Sequence, residues 1–382
     1  MHYIKLPFGI GKKLLTEANA DIDLQFIGWH PHDVDDNGKT FGYEAYAVGG
    51  VIQHEDAPED TKNWWIKKAH MQQVIAPADP FAQQVDAALN NVKPPKPKEK
   101  VVAMQLLKVG ADVEVFLVQP GVGPVPCVQL IGGTKEKPIP ILEELGPGFA
   151  LQEDNVMLEY NIPPASTSHE FVYNLRRINE EIVGRVGKMG LAPVIEASMR
   201  FRAEQLESDQ AKVFGCDPDF NVWDRCPNEK PELTGEDKLL RTAGGHVHVS
   251  FNINGEPPKF PEHLSEIETI VMGMDILVGI PSVILDKDRE RRKLYGKAGA
   301  FRRKPYGIEW RTSSNWWTQK PTYMAFVYQQ VERLFTTIAY DGAAKTGERW
   351  RKSKPAVQHI INNCDTMEAA RFCRQNEILL PA

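Results

Sequence analysis

The pattern of apolar and polar positions divides this chain into short stretches of period two and longer stretches of helical period. Alternation over four to eight residues marks a half-buried strand, whereas recurrence every three or four residues marks an amphipathic helix. Residues 1–60 hold the extended runs DLQFIGW and YEAYAVGGVI around the turn-forming DDNGK, which predicts a small β-rich module over 1–92. A helix is expected around Asn63–Val74. The stretch Asn91–Lys100, NVKPPKPKEK, carries three prolines and four lysines and predicts a solvated linker at 93–100. Beyond it, β-type runs at Ala103–Leu117, Val156–Ile162, His246–Asn252 and Gly307–Thr312 alternate irregularly with helical patterns. Those helices are expected over Ser168–Met189, Leu264–Val278 and Tyr323–Ala339. The irregular alternation predicts an α+β domain over 101–345. A tail at 346–382 should add one short helix near Met367–Gln375.

Four of the predicted strands share a further property. Asp112 and Glu114 flank Val113; Glu159 and Asn161 lie between Leu158, Tyr160 and Ile162; His246, His248 and Ser250 alternate with Val247 and Val249; Glu309, Arg311 and Ser313 follow Ile308 and Trp310 in the same way. Since strand side chains point to opposite faces in turn, each segment places charge on one face and apolar groups on the other. One sheet would then have a greasy back for helices and an acidic, histidine-bearing front. Carboxylates gathered on such a front repel one another unless a cation balances them. Oxygen ligands with an occasional imidazole suit Mg²⁺ or Mn²⁺ better than zinc.

Composition narrows the partners. The net charge of −6 and pI near 6.0 provide no basic field for nucleic acid. Five cysteines without CxxC spacing suggest neither a disulfide framework nor a zinc ribbon, and fit a reducing cytoplasm. No secretion signal or membrane span is expected, the apolar stretch at Ile270–Leu285 being broken by Asp275, Gly279 and Pro281. A local cationic cluster does stand out over Asp286–Arg303, where Arg289, Arg291, Arg292, Lys293, Lys297, Arg302 and Arg303 surround the glycine-bearing loop Gly296–Gly299. For Arg289 to Lys293 a basic helix end in solvent is an equal expectation. Arg302 and Arg311 lie next to the acidic front, and arginine forks beside a metal site are what phosphoryl transfer requires.

These segments carry a resemblance. GADVEVFLV at 110–118, QEDNVMLEYNIPP at 152–164, RTAGGHVHVSF at 241–251 and YGKAGAFRRKPYGIEWRTSSNWW at 295–317 occur in the order used by the glutamine synthetase and glutamate–cysteine ligase superfamily. More closely, residues 101–345 resemble the phage-type carboxylate–amine ligases (COOH–NH2 ligase, type 2). The resemblance implies an antiparallel, half-barrel-like sheet packed with helices, ATP as cofactor, and amide formation through an acyl-phosphate. It further implies that Asp112, Glu114, Glu159, His246 and Glu309 hold Mg²⁺, or Mn²⁺. His248, Lys297, Arg302 and Arg311 would contact ATP, and Arg302 and Arg311 would also stabilise the transferring phosphoryl group. Asp112 stands where the family more commonly has Glu, and either Glu153 or Asp154 could complete the acidic set. The partners implied are a small-molecule or peptide carboxylate and an amine, in the cytoplasm of a host cell if the chain is phage-encoded.

Two other readings fit parts of the pattern. A cupin-like metal oxygenase or isomerase also uses an HxH strand and a later Glu, on a closed barrel. A phage structural or binding protein could have kept the ligase sheet and lost activity. The loops GGTKEKP at 132–138 and FGCDPDFNVW at 214–223 read as structural turns, and Cys216 as a packed thiol. His30-Pro-His32 reads as a turn, GIGK at 9–12 lacks Walker A spacing, and Trp64–Trp65 reads as core. His246 and Glu309 are expected to face a solvated cleft.

Overall fold

The computed structural model describes residues 103–212, 219–229 and 235–381, together with the backbone of three strands in the first hundred residues. The chain forms two compact units, Met1–Lys100 and Val101–Ala382. In the first, β1 (His2–Pro7), β2 (Leu24–Val34) and β3 (Thr40–Val48) pair antiparallel in the order β1-β3-β2. His30-Pro-His32 belongs to β2, where the register shifts between His30 and Asp33, so an irregular strand replaces the expected turn. The GIGK segment, the DDNGK turn, the expected helix at Asn63–Val74, Trp64–Trp65, the linker and Cys216 lie outside the described residues.

The second unit is built on an open, eleven-stranded antiparallel sheet. Its long strand is β4 (Met104–Gln119), followed by β5 (Gly123–Val125), β6 (Ile139–Pro140), β7 (Ala150–Asp154), β8 (Met157–Asn161) and β9 (Ala192–Val194). A side ribbon pairs β10 (Ser198–Arg200) with β13 (Leu240–Thr242). The sheet is completed by β11 (Phe220–Asn221), β12 (Cys226–Pro227), β14 (Gly245–Ile253), β15 (Ala300–Lys304) and β16 (Gly307–Trp310). Its order runs β12-β11-β15-β16-β14-β4-β8-β7-β6, with β5 and β9 also paired to β4.

The period-two pattern explains the sheet's back. Val113, Val115, Leu158, Tyr160, Val247, Val249, Ile308 and Trp310 are all buried in one apolar cluster. Helices α1 (Ser168–Gly187), α2 (Leu264–Leu285) and α3 (Pro321–Asp341) contribute Phe171, Ile270 and Val331 to it. Along α1 the buried residues Phe171, Leu175, Ile178, Ile182 and Val186 recur at helical spacing, and the Thr167 hydroxyl caps its first turn by accepting from the Glu170 amide at 3.1 Å.

Two helical expectations change. Helix α2 runs past Val278 to Leu285 because a π turn at Asp275–Gly279 precedes Pro281, where regular helical hydrogen bonding is already interrupted. By length and composition α2 could cross a membrane, yet 94% of its apolar window is buried inside the unit. The tail holds three helices rather than one: α4 (Ala343–Arg351), α5 (Lys354–Asn363) and α6 (Thr366–Gln375). Each of the first two buries only a few apolar residues, such as Trp350, Val357 and Ile361, too few for a clear periodic signal.

Candidate active site

Strand register brings the charged positions together. His246 faces Asp112 across β14 and β4; His248 faces Glu309 across β14 and β16; Glu309 in turn faces Arg302 on β15. On the other side of β4, Glu114 faces Glu159 on β8, which faces Gln152 on β7. The charged residues of five strands thus form a continuous band on the face opposite the apolar cluster. Arg311 follows immediately after β16, held by its amide donating to the Ala300 carbonyl at 2.9 Å.

Within the band the contacts are close. His246 Nδ1 lies 3.1 Å from Asp112 Oδ1 and 3.7 Å from Glu309 Oε1, and His248 Nε2 lies 3.2 Å from Asp112 Oδ2. Glu309 is clasped by Arg311 and by Lys304 Nζ at 2.6 Å, with Arg302 at 4.0 Å. Arg311 Nε and Arg302 Nε reach Asp219 Oδ1 at 2.7 and 3.4 Å. The Glu114 carboxylate accepts from the Gly244 amide, and Gln152 donates to Glu159 at 2.6 Å.

The electrostatics split the carboxylates into two groups. Burial alone would raise Asp112 and Glu309. For Asp112, the His248 and His246 charges outweigh burial and hold it well below the usual carboxylate range. For Glu309, burial and Asp112 raise it, but Arg311 with the two histidines brings it down to about 2. Glu159 and Glu114 go the other way: burial, joined by neighbouring carboxylates, pushes both up. A cluster that strains to keep its negative charge is one a cation would relieve. Asp112, His246 and Glu309 offer ligand atoms within 4.8 Å of one another, as do Glu114, Asp154 and Glu159. Asp112 Oδ1 is buried with His246 Nδ1 beside it at 3.1 Å, and a divalent ion would take its remaining lone pair. The donors are mainly carboxylate oxygens, and so fit Mg²⁺ or Mn²⁺.

The structure resolves which acid joins the front. Asp154 stands with Glu114 and Glu159. Glu153 points away, its carboxylate taking the amides of Gln129, Leu130, Ile131 and Gly132 at 2.7–2.8 Å. That backbone nest ends on Gly132, the first residue of GGTKEKP. Arg291 and Arg292 are not a solvated helix end. Both are buried, Arg291 donating to the Thr312 and Arg311 carbonyls and Arg292 to Ser282 Oγ and the Ile361 carbonyl. Lys297 lies in the Gly296–Gly299 loop near Arg292 and Cys364, and is not among the residues lining the cleft beside Arg311. The cleft itself is tighter than a solvated groove: Glu309 is 1% and His246 5% exposed, because Asp219, Lys304 and Arg311 close over them.

Sequence reasoning missed Asp219, Lys304 and Tyr306. Asp219 comes from the FGCDPDFNVW loop and bridges two arginines; no local pattern signals this, since the pairing is made by β11 joining β15. Lys304 and Tyr306 belong to the β15–β16 hairpin, where alternation continued past Arg302 could have found Lys304. Cavities open on both sides of the band. One is lined by Glu114, Asp154, Asp219, Arg241, Arg291 and Arg311. The other is less charged and lined by Lys108, Gly110, Ile162, Pro164, His248 and Tyr306.

One comparison with known proteins agrees with the motifs. No curated protein sequence matches the chain. Among solved structures, "Apo GmaS without ligand" aligns over 73% of this chain and 69% of its own at 14% identity, with a TM-score of 0.34. "GmaS/ADP complex-Conformation 1" aligns over 72% and 69% at 12% identity and a TM-score of 0.34. "Crystal structure of novel glutamine synthase homolog" aligns over 72% and 67% at 13% identity and a TM-score of 0.30. Superpositions this loose establish neither fold nor function for the chain, and the site stands on its own geometry. Residues 238–332, which run from β13 to the middle of α3 and contain the HxH and ExR segments, match the family described as Phage phiEco32-like COOH.NH2 ligase-type 2, the phage-type family its motifs resemble.

Proposed function

We propose that the unit Val101–Ala382 is an ATP-dependent ligase joining a carboxylate to an amine through an acyl-phosphate, with Mg²⁺ or Mn²⁺ as resident ion. The observation that carries this reading is the convergence of Asp112, Glu114, Asp154, Glu159, His246 and Glu309 on one sheet face beside Arg302 and Arg311. The family matched over 238–332 is one of COOH.NH2 ligases, which supports it. The open sheet weighs against the cupin alternative, which needs a closed barrel.

The reaction needs no protein nucleophile. A substrate carboxylate oxygen attacks the γ-phosphorus of ATP, the bond to ADP breaks, and the amine then displaces phosphate and loses a proton to leave the amide. The residues supply position and charge. Asp112, His246 and Glu309, with Glu114, Asp154 and Glu159, would hold the metal, which when bound offsets phosphate charge. Arg311 and Arg302 would neutralise charge on the transferring group, and His248 would donate to a phosphate oxygen. Asp219 and Glu309 keep both guanidinium groups aligned until an anion arrives. Cysteines without paired spacing accord with a cytoplasmic setting.

Phosphate release from ATP, assayed with Mg²⁺ and a mixed pool of amino acids, short peptides and polyamines, tests the proposal. Release that requires both an acid and an amine is expected. A well-folded chain that releases no phosphate and binds no nucleotide would instead be the binding protein.

A further inference from the structure

Arg302 and Arg311 each touch the carboxylates of Glu309 and Asp219, and the two acids are held in different ways. Glu309 is 1% exposed and enclosed by Lys304 as well as by the arginines, so it has no room to leave. Asp219 is 15% exposed and lines the cavity shared with Glu114, Arg291 and Arg311. Its backbone is fixed: its carbonyl accepts from the Asn228 amide at 2.7 Å, and the next residue, Phe220, pairs with Phe301 in the sheet. Only the short side chain carries the carboxylate in between the guanidinium groups, and rotation about its bonds is enough to carry it out into the cavity. One oxygen meets both arginines, Oδ1 lying 2.7 Å from Arg311 Nε and 3.4 Å from Arg302 Nε. Two planar forks converging on one oxygen form an anion site, and Asp219 fills it from within the chain.

We propose that Asp219 is an internal competitor: its carboxylate stands in the place of an incoming tetrahedral oxyanion and swings aside when that anion binds between Arg302 and Arg311. The consequence is a threshold. A carboxylate tethered beside its site acts at a high effective concentration. A free monoanion that replaced it would bring no extra charge and would give up its own translational freedom, so it has little to drive the exchange. A terminal phosphate brings about two negative charges and three oxygens for the two forks, and clears the threshold. The arginines stay aligned during the exchange because Glu309 still contacts both. The inference rests on the ligase reading only for the identity of the anion, the transferring phosphoryl group. The competition itself is a property of the chain alone.

Calorimetric titration of the full-length protein with sulfate, a tetrahedral dianion that carries no nucleotide, tests the competition. Asp219→Asn keeps the shape and removes the charge. It should bind sulfate roughly ten-fold or more tighter than the wild type, the worth of a hydrogen bond to a charged group. Asp219→Ala should show the same gain, and serves if the amide side chain unsettles the fold. Asp224→Asn removes an equal charge from a carboxylate of the same segment that pairs with Lys354 instead, and should leave the affinity unchanged. Adding Arg311→Ala to Asp219→Asn should abolish the gain. Equal or weaker sulfate binding in the Asp219 variants overturns the proposal, because Asp219 would then only align the arginines. A gain matched by Asp224→Asn, or one that survives the loss of Arg311, overturns it as well. Titration with Mg²⁺–ADP reports separately on the ligase reading: a sulfate gain in a protein that binds no Mg²⁺–ADP keeps the competitor and discards the nucleotide as its rival.

Discussion

At the scale of single residues, the site is held by mutual charge balance, which makes individual members hard to remove. Glu309 is 1% exposed and is contacted by Arg311, Lys304, Arg302 and His246. Glu309→Gln leaves the two arginines and the lysine facing a neutral amide, and breaking one side of a buried pair costs about 3–5 kcal/mol. We expect this variant to lose both ligase turnover and stability, seen as a lower denaturant midpoint. The alternation of the sequence placed Glu309 and His246 on the front face, but suggested a solvated cleft. They are enclosed because Lys304 arrives on β15, the neighbour of β16, and Asp219 beside β11, the next strand out, a contact that no local spacing encodes. Asp275 provides a second residue-scale prediction. Its fully buried carboxylate accepts from Trp223 Nε1, Trp310 Nε1, Thr312 Oγ1 and the Gly299 amide, and burial pushes its pKa up to about 6. An unfolded aspartate titrates near ~3.9. The folded state therefore holds the proton more tightly, so this contribution is full below about 4 and is lost as pH rises through about 6. Denaturation followed between those values should show that slope in the wild type and not in Asp275→Asn.

At the scale of elements, two loops are organised by what they enclose. The segment Gln129–Gly132 directs four amides at the Glu153 carboxylate, which burial would raise but these donors hold below its ordinary value. Glu153→Gln should cost about 1–3 kcal/mol, the penalty for leaving such donors poorly satisfied. Limited proteolysis should then cut first between residues 129 and 133. The β15–β16 hairpin depends instead on close approach. Gly307→Ala would push its turn away from Val249, and a loss of at least about 1 kcal/mol is expected, measured by thermal unfolding. Helices and strands with strong periodicity, such as α1 and β14, were legible to within two residues. Helices α4 and α5 were not, because they bury only a few residues each against α2 and so lack a sustained apolar stripe.

At the scale of the whole molecule, every residue of the candidate site lies in the unit Val101–Ala382. A protein starting at Val101 should unfold in one cooperative transition and bind Mg²⁺–nucleotide as the full chain does. Calorimetry of both forms checks this; a molten or nucleotide-blind fragment would show that the first unit completes the site. What the sequence determined by itself is the two-faced character of the strands, since period two assigns every other residue to a face before any partner is known. It thereby assigned Asp112, Glu114, Glu159, His246, His248 and Glu309 each to the charged face of its strand. What only the tertiary structure decided is which elements stand side by side. Register set Glu309 between His248 and Arg302, β11 brought Asp219 to two arginines, and a glycine turn laid Tyr306 against His248. Apart from the hairpin pair Arg302–Glu309, those pairings join residues 58 to 92 positions apart, and the forces that make them, shared core burial and hydrogen bonding between strands, leave no trace in local spacing.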